Sequence, residues 1–123
     1  MAVMQRSVLV VDDNTGLRTG LATVLEDEGI ETRQAGRGSE AIELIREVRF
    51  DLLVLDLNLP DMTGVRIYNV AAEEIESPRC IFMTAEASEE LVEEALRLEP
   101  LRLLRKPFEV SLFRDLVRRA IAN

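Results

Sequence analysis

The sequence predicts an α/β protein: one doubly wound, three-layer parallel sheet of five strands with helices on both faces. Five short apolar runs recur, at residues 7–11, 31–35, 51–55, 79–83 and 101–104, and each is followed by a longer stretch with helical spacing. Strict alternation of strand and helix is the pattern that right-handed crossovers convert into a parallel sheet. The first, third and fourth runs are close to continuous in apolar residues, as strands covered on both faces require. The length, 123 residues, corresponds to one ordinary domain with a real core. A single domain over 1–123 is therefore expected, with no output domain in this chain.

Each element has its own reason. Ser7-Val8-Leu9-Val10-Val11 is a buried strand that runs into Asp12-Asp13. Leu17, Leu21, Val24 and Leu25 form the stripe of the first helix, with Asp13 or Asn14 available as its cap. Gly29 follows, where a helix end wants a left-handed residue. Glu31-Thr32-Arg33-Gln34-Ala35 is the most polar run and reads as an edge strand. Gly36 and Gly38 mark the turn into a second helix striped by Ala41, Leu44, Ile45 and Val48. The third strand ends at Asp56, and Leu57-Asn58-Leu59-Pro60 with Gly64 forms a turn in which Asp61 reads as a solvated acid. A weaker third helix runs from about Val65 to Glu76 and stops at Ser77-Pro78. The fourth strand, containing Cys80, leads to Thr84. Ser88 then caps a helix with acids in its first turn and Leu91, Ala95 and Leu98 inside. The fifth strand ends before Lys106-Pro107, and Val110, Phe113, Leu116, Val117 and Ile121 stripe the last helix.

Composition excludes several functions. The net charge of −8 disfavours binding to nucleic-acid phosphates or anionic membranes. The absence of histidine removes imidazole metal sites and the Ser-His and Cys-His nucleophile pairs. The lone Cys80 sits in an apolar run, reads as a small buried hydrophobe, and fits a reducing, cytoplasmic setting. No apolar stretch approaches the roughly 20 residues that span a bilayer. The first residues, Met1 to Arg6, lack the layout of a signal peptide.

What remains is a set of polar residues at strand ends. In an open α/β sheet, ligands bind beyond the carboxyl ends of the strands. Asp12 and Asp13 end the first strand, Asp56 the third, Thr84 the fourth, and Lys106 follows the fifth. Singly, each has an ordinary explanation as a cap, loop or solvated residue. Together they predict an acidic pocket, because like charges are crowded at one edge only at a cost. Asp13 and Asp56 offer hard oxygen ligands that favour Mg²⁺. Asp56 can act as a carboxylate nucleophile toward a phosphoryl group, with Lys106 neutralising the transferring oxygens and Thr84 donating a hydroxyl. Pro107 marks a turn and follows the kind of bond at which a cis peptide is accessible.

As a set, Asp12-Asp13, Asp56 with Pro60 and Gly64, Thr84-Ala85 and Lys106-Pro107-Phe108 resemble the receiver domain of two-component response regulators over essentially the whole chain. The resemblance implies a flavodoxin-like fold with strand order 2-1-3-4-5. It implies that Asp56 is the phosphoacceptor, with Thr84 and Lys106 binding the phosphoryl group. Asp13, Asp56 and the main-chain carbonyl of Asn58 would hold Mg²⁺ or Mn²⁺, with Asp12 acting through water. The implied partners are a sensor histidine kinase or phosphotransfer protein and a downstream protein or output domain. The domain would catalyse only its own phosphorylation and dephosphorylation. Asn58 and Glu86 occupy positions that in the family bear on how fast the phosphoryl group is lost. Ala85 and Pro107 adjoin the site.

Two positions depart from the family. Leu103 stands where an aromatic rotamer switch is usual, and Glu99-Pro100 replaces the usual Gly-Ala before the fifth strand. These departures predict a smaller or different conformational response, and their alternative is a pseudo-receiver that works as an interaction module with weak or uncoupled switching. An aspartyl phosphatase is disfavoured because Asn58 stands where its general acid would be. A nucleotide site is disfavoured because Asp12-Asp13-Asn14 would repel phosphate. The fourth helix, fifth strand and fifth helix carry mixed charge that permits a homodimer through that face.

Overall fold

The computed structural model describes residues 6–122. The N-terminal stretch considered above for a signal lies almost wholly outside the described residues. In chain order the elements are β1 (Ser7–Val11), α1 (Thr15–Asp27), β2 (Glu31–Ala35), α2 (Gly38–Glu47), β3 (Leu52–Asp56), α3 (Gly64–Glu74), β4 (Cys80–Thr84), α4 (Glu89–Arg97), β5 (Arg102–Arg105) and α5 (Val110–Ile121). All strand pairs are parallel, and the order across the sheet is β2-β1-β3-β4-β5. The chain starts in the interior, steps outward to β2, then crosses back past β1 to β3. The strand order reverses between β1 and β3, and a crevice opens there at the carboxyl ends.

Three strands begin and end one residue later than the apolar runs alone indicate, because the ladder continues through polar residues. Asp56 pairs with Met83, and Thr84 pairs with Arg105. Both site residues are therefore the last rungs of buried strands and not the first residues of loops. β2 and β5 are the polar edges, and β1, β3 and β4 are buried throughout.

Alternation along the strands sorts the core into two layers. Leu9, Val11, Leu53, Leu55 and Phe82 face α2, α3 and α4. Val8, Val10, Leu52, Val54, Ile81 and Met83 face α1 and α5, against Leu21, Leu25, Phe113 and Val117. Cys80 is buried in the first layer, and burial holds its thiol well above its ordinary pKa, so it behaves as a hydrophobe. Tyr68 packs on the same layer with its ring 6.3 Å from that of Phe82.

Helix ends follow the local chemistry. Asn14 and Ser88 cap α1 and α4 through their side-chain oxygens, and Thr63 caps α3. Gly29 takes a left-handed φ of 78° after α1. Two expectations are corrected. Val110 opens α5 exposed and lies off its buried stripe, which begins at Phe113. Asp61 is solvent-exposed yet has a partner: its carboxylate accepts the Gly38 and Ser39 amides at 2.8 and 3.0 Å, capping α2 from the β3–α3 loop. Arg37, at the cap position of α2 itself, makes no side-chain capping bond, so the cap comes from a segment distant in sequence. Among the described residues no helix is long and apolar enough to cross a membrane.

Candidate functional site

Four chain segments converge at the carboxyl edge of the sheet. β1 delivers Asp12, fully buried, and Asp13, exposed beside it. β3 delivers Asp56, 5% exposed, and β4 delivers Thr84, 1% exposed. The β5–α5 turn delivers Lys106, whose peptide bond to Pro107 is cis. Carboxylate oxygens of Asp12, Asp13 and Asp56 all lie within 4.8 Å of one another.

The two buried carboxylates are held alike. Asp12 Oδ1 accepts the main-chain amide of Asn14 at 2.9 Å, and Asp56 Oδ1 accepts that of Asn58 at 2.8 Å. These are local turns in which an acid accepts the amide two residues on. Each Oδ2 is left to the same ammonium: Lys106 Nζ donates to Asp12 and to Asp56 at 2.6 Å each. One cation thus stands between two anions, which relieves part of the repulsion that the cluster creates.

The electrostatics follow from burial. Burial raises the pKa of Asp56, and the Asp12 charge adds to that, while the bonds from Lys106 and Asn58 oppose it. For Lys106, burial alone would lower the pKa, but the hydrogen bonds to Asp12 and Asp56 outweigh it and the ammonium is held charged. The site therefore combines a buried carboxylate whose pKa is raised with an ammonium whose two carboxylate bonds hold its proton.

Thr84 has an unusual place. Its Oγ1 is buried and makes no hydrogen bond among the described residues, while its carbonyl accepts the Lys106 amide at 2.8 Å. An unpartnered buried hydroxyl at a strand end is the kind of group a ligand satisfies. Asn58 and Glu86 are linked, though not through the glutamate side chain: Asn58 Nδ2 donates to the Glu86 carbonyl at 2.6 Å. Ala85 is exposed at the mouth. Leu103 lies behind the edge, partly buried against the layer that contains Phe82.

Gly64 allows the β3–α3 loop to close over the strand end. A Cβ there would stand 2.5 Å from the Asp56 carbonyl oxygen. Gly64 also donates its amide to the Leu57 carbonyl at 3.0 Å, which holds the loop shut.

One contributor is absent from the set found by reading the chain. Arg18, in α1, donates from a terminal guanidinium nitrogen to the Asp12 carbonyl at 2.8 Å and from Nε to Gln34 Oε1 at 3.1 Å. In sequence it is one arginine among the polar residues of a helix. The available signal was its place five residues after an acid pair, in the first turns of the following helix, which is a weak one.

Comparison with known proteins identifies the family of this fold. The family model of the response regulator receiver domain matches residues 8–118. Sporulation initiation phosphotransferase F of Bacillus subtilis is 34% identical over 117 residues, covering 95% of this chain and 94% of that protein. The regulatory protein AtoC of Escherichia coli is 32% identical over 115 residues, but the chain spans only 25% of its length. Among solved structures, the non-phosphorylated HemR receiver domain of Leptospira biflexa superimposes with a TM-score of 0.87 at 30% identity, covering 97% of this chain and 96% of that one. Chemotaxis protein CheY4 of Vibrio cholerae gives 0.85 at 28% identity, covering 96% and 100%. The family model matches residues 8–118, a relative is 34% identical over 95% of this chain and 94% of its own length, and a solved receiver domain superimposes with a TM-score of 0.87: the chain belongs to the response regulator receiver domain family.

Proposed function

We propose that this receiver domain is a phosphoacceptor switch, in which Asp56 takes a phosphoryl group and the change alters binding to a downstream protein or output domain. The donor is a sensor histidine kinase, a phosphotransfer protein or a small phosphodonor, and the setting is the cytoplasm. The observation that carries this reading is the shared ammonium: Lys106 Nζ lies 2.6 Å from both Asp12 and Asp56. That arrangement keeps a cation beside the carboxylate where phosphoryl charge would arrive.

In the transfer, an Asp56 carboxylate oxygen forms the new O–P bond as the bond from phosphorus to the donor breaks. With acetyl phosphate the leaving group is acetate. Lys106 supplies fixed positive charge to the phosphoryl oxygens, and Thr84 supplies the buried hydroxyl that has no partner among the described residues. Release of Asp56 from Lys106 is part of the same step, because the ammonium cannot keep its present bonds and follow the new charge.

The oxygen-only donor set of Asp12, Asp13 and Asp56 suits a hard divalent cation. Asp13, Asp56 and the main-chain carbonyl of Asn58 would hold Mg²⁺ or Mn²⁺, with Asp12 engaged through water. When bound, the ion neutralises charge on the transferring oxygens. Glu86 and Asn58 flank the acceptor, joined by the Asn58 side-chain bond, and influence how readily water reaches it. Ala85, Leu103 and Pro107 lie along the route from the site to the α4–β5–α5 face, which is available for partner or self-association.

The deciding experiment is incubation with acetyl phosphate and Mg²⁺, followed by mass spectrometry and peptide mapping. Wild type is expected to gain one phosphoryl group on Asp56. No added mass, or the same labelled peptide in Asp56→Asn, would overturn the reading.

A further inference from the structure

We propose that Arg18 is a positioning residue for Asp13, an inference that rests on the reading of Asp13 as a cation ligand. The two acids that end β1 are held very differently. Asp12 is anchored on every side: its amide donates to the Ala35 carbonyl at 3.1 Å, its Oδ1 accepts from Asn14, and its Oδ2 accepts from Lys106. Asp13 is exposed, and its carboxylate makes no hydrogen bond or ion pair among the described residues. Its direction is therefore set through the backbone alone.

The peptide that sets it is the one joining Asp12 to Asp13, and the carbonyl of that peptide is the acceptor for Arg18, at 2.8 Å. The guanidinium is fixed in turn from two other elements. Gln34 at the end of β2 accepts its Nε at 3.1 Å. The main chain at Gly36 closes over it so tightly that a Cβ there would stand 3.0 Å from the same terminal nitrogen. Gly36 is itself held by Glu40, whose Oε1 accepts the Gly36 amide at 2.9 Å. A planar, rigid donor fork, locked between β2 and the following turn, thus clamps the plane of the Asp12–Asp13 peptide. Partners one step removed from a metal orient its ligands in this way.

The sign of the effect separates positioning from charge. A cation beside an acidic pocket repels a divalent ion, so on charge alone the loss of Arg18 would tighten Mg²⁺ binding. Positioning predicts the reverse. Titration of ¹⁵N-labelled protein with MgCl₂, following the Asp13, Asp56 and Asn58 amides, is expected to show about tenfold weaker binding in Arg18→Ala. Unchanged or tighter binding overturns the proposal. A second measurement needs no metal: in the free protein, the Asp13 amide order parameter is expected to fall in Arg18→Ala from about 0.85 toward 0.6. An unchanged order parameter also overturns it. If wild type shows no Mg²⁺-dependent shifts at these amides, the cation reading itself fails, and the metal-free comparison still decides whether Arg18 holds Asp13.

Discussion

Lys106 and Asp56 are 50 residues apart in the chain and 2.6 Å apart in space, and Asp12 shares the same ammonium from the other side. Replacing Lys106 by Met leaves two buried carboxylates facing each other without a cation. A loss of about 2 kcal/mol in metal-free stability is expected at pH 7, below the full cost of a buried unpaired charge because Lys106 is partly exposed. Burial raises the pKa of Asp56 in the folded state against the opposing bond from Lys106, so loss of the ammonium raises it further. The contribution of Asp56 to stability is full below the unfolded pKa and is lost as pH rises through the folded value. The deficit of Lys106→Met should therefore shrink as pH falls from 7 toward 4, as urea denaturation across that range would show.

Thr84→Val separates ligand binding from folding. The hydroxyl has no hydrogen-bond partner among the described residues, so the isosteric change is expected to leave stability within about 1 kcal/mol or improve it slightly. Phosphorylation by acetyl phosphate should nevertheless fall, because the hydroxyl offered to the phosphoryl oxygen is gone. Thermal denaturation and phosphorylation yield, measured on the same preparation, check both halves. A large drop in melting temperature would show that the hydroxyl has a structural partner after all.

Gly64 and Gly38 each face a near contact, but of different kinds. A Cβ at Gly64 meets the Asp56 carbonyl oxygen at 2.5 Å, whereas one at Gly38 meets the Met62 side chain at 2.2 Å. Backbone at a strand end cannot move without opening the site, while a methionine can change rotamer. Gly64→Ala is expected to cost about 2–3 kcal/mol, and Gly38→Ala clearly less, despite the shorter distance. Chemical denaturation of the two variants gives the ranking directly.

Asp61 supplies a pH test at a distance from the acid cluster. The Gly38 and then the Ser39 amide lower its pKa from the ordinary 3.8. A depressed carboxylate contributes stability that is complete above its unfolded pKa and is lost as pH falls through the folded value. Asp61→Ala should therefore melt below wild type at pH 7, and the difference should close as pH falls below the ordinary carboxylate value of 3.8. A gap that persists in acid would point to a cause other than the capping charge.

Much of the molecule was legible in the chain. The alternation of strand and helix, the polar edge strand β2, the caps Asn14 and Ser88, and the left-handed Gly29 all depend on neighbours within a few residues. The candidate site residues were legible for a related reason. In a parallel sheet every strand end lies at one edge, so polar residues that terminate apolar runs must meet there whatever the loops do. Asp12, Asp13, Asp56, Thr84 and Lys106 could be grouped without coordinates on that ground.

Other features depended on packing between segments distant in sequence. Asp61 caps a helix 23 residues earlier, and Arg18 reaches the Asp12 carbonyl under cover of Gly36. Neither residue type announces such a role, since an exposed acid in a turn and an arginine on a helix are both commonplace. Val110 matched the helical period yet faces solvent, because periodicity defines a stripe but not where along the helix the core begins to cover it. The sequence by itself determined the order of elements and which chemical groups reach the sheet edge, because local spacing and strand direction are enough for that. Only the tertiary structure decided how those groups are paired: one ammonium between two carboxylates, one buried hydroxyl without a partner among the described residues, and one exposed acid directed by a clamped peptide. Pairing is a matter of ångströms between distant segments, and hydrophobic periodicity carries no information at that scale.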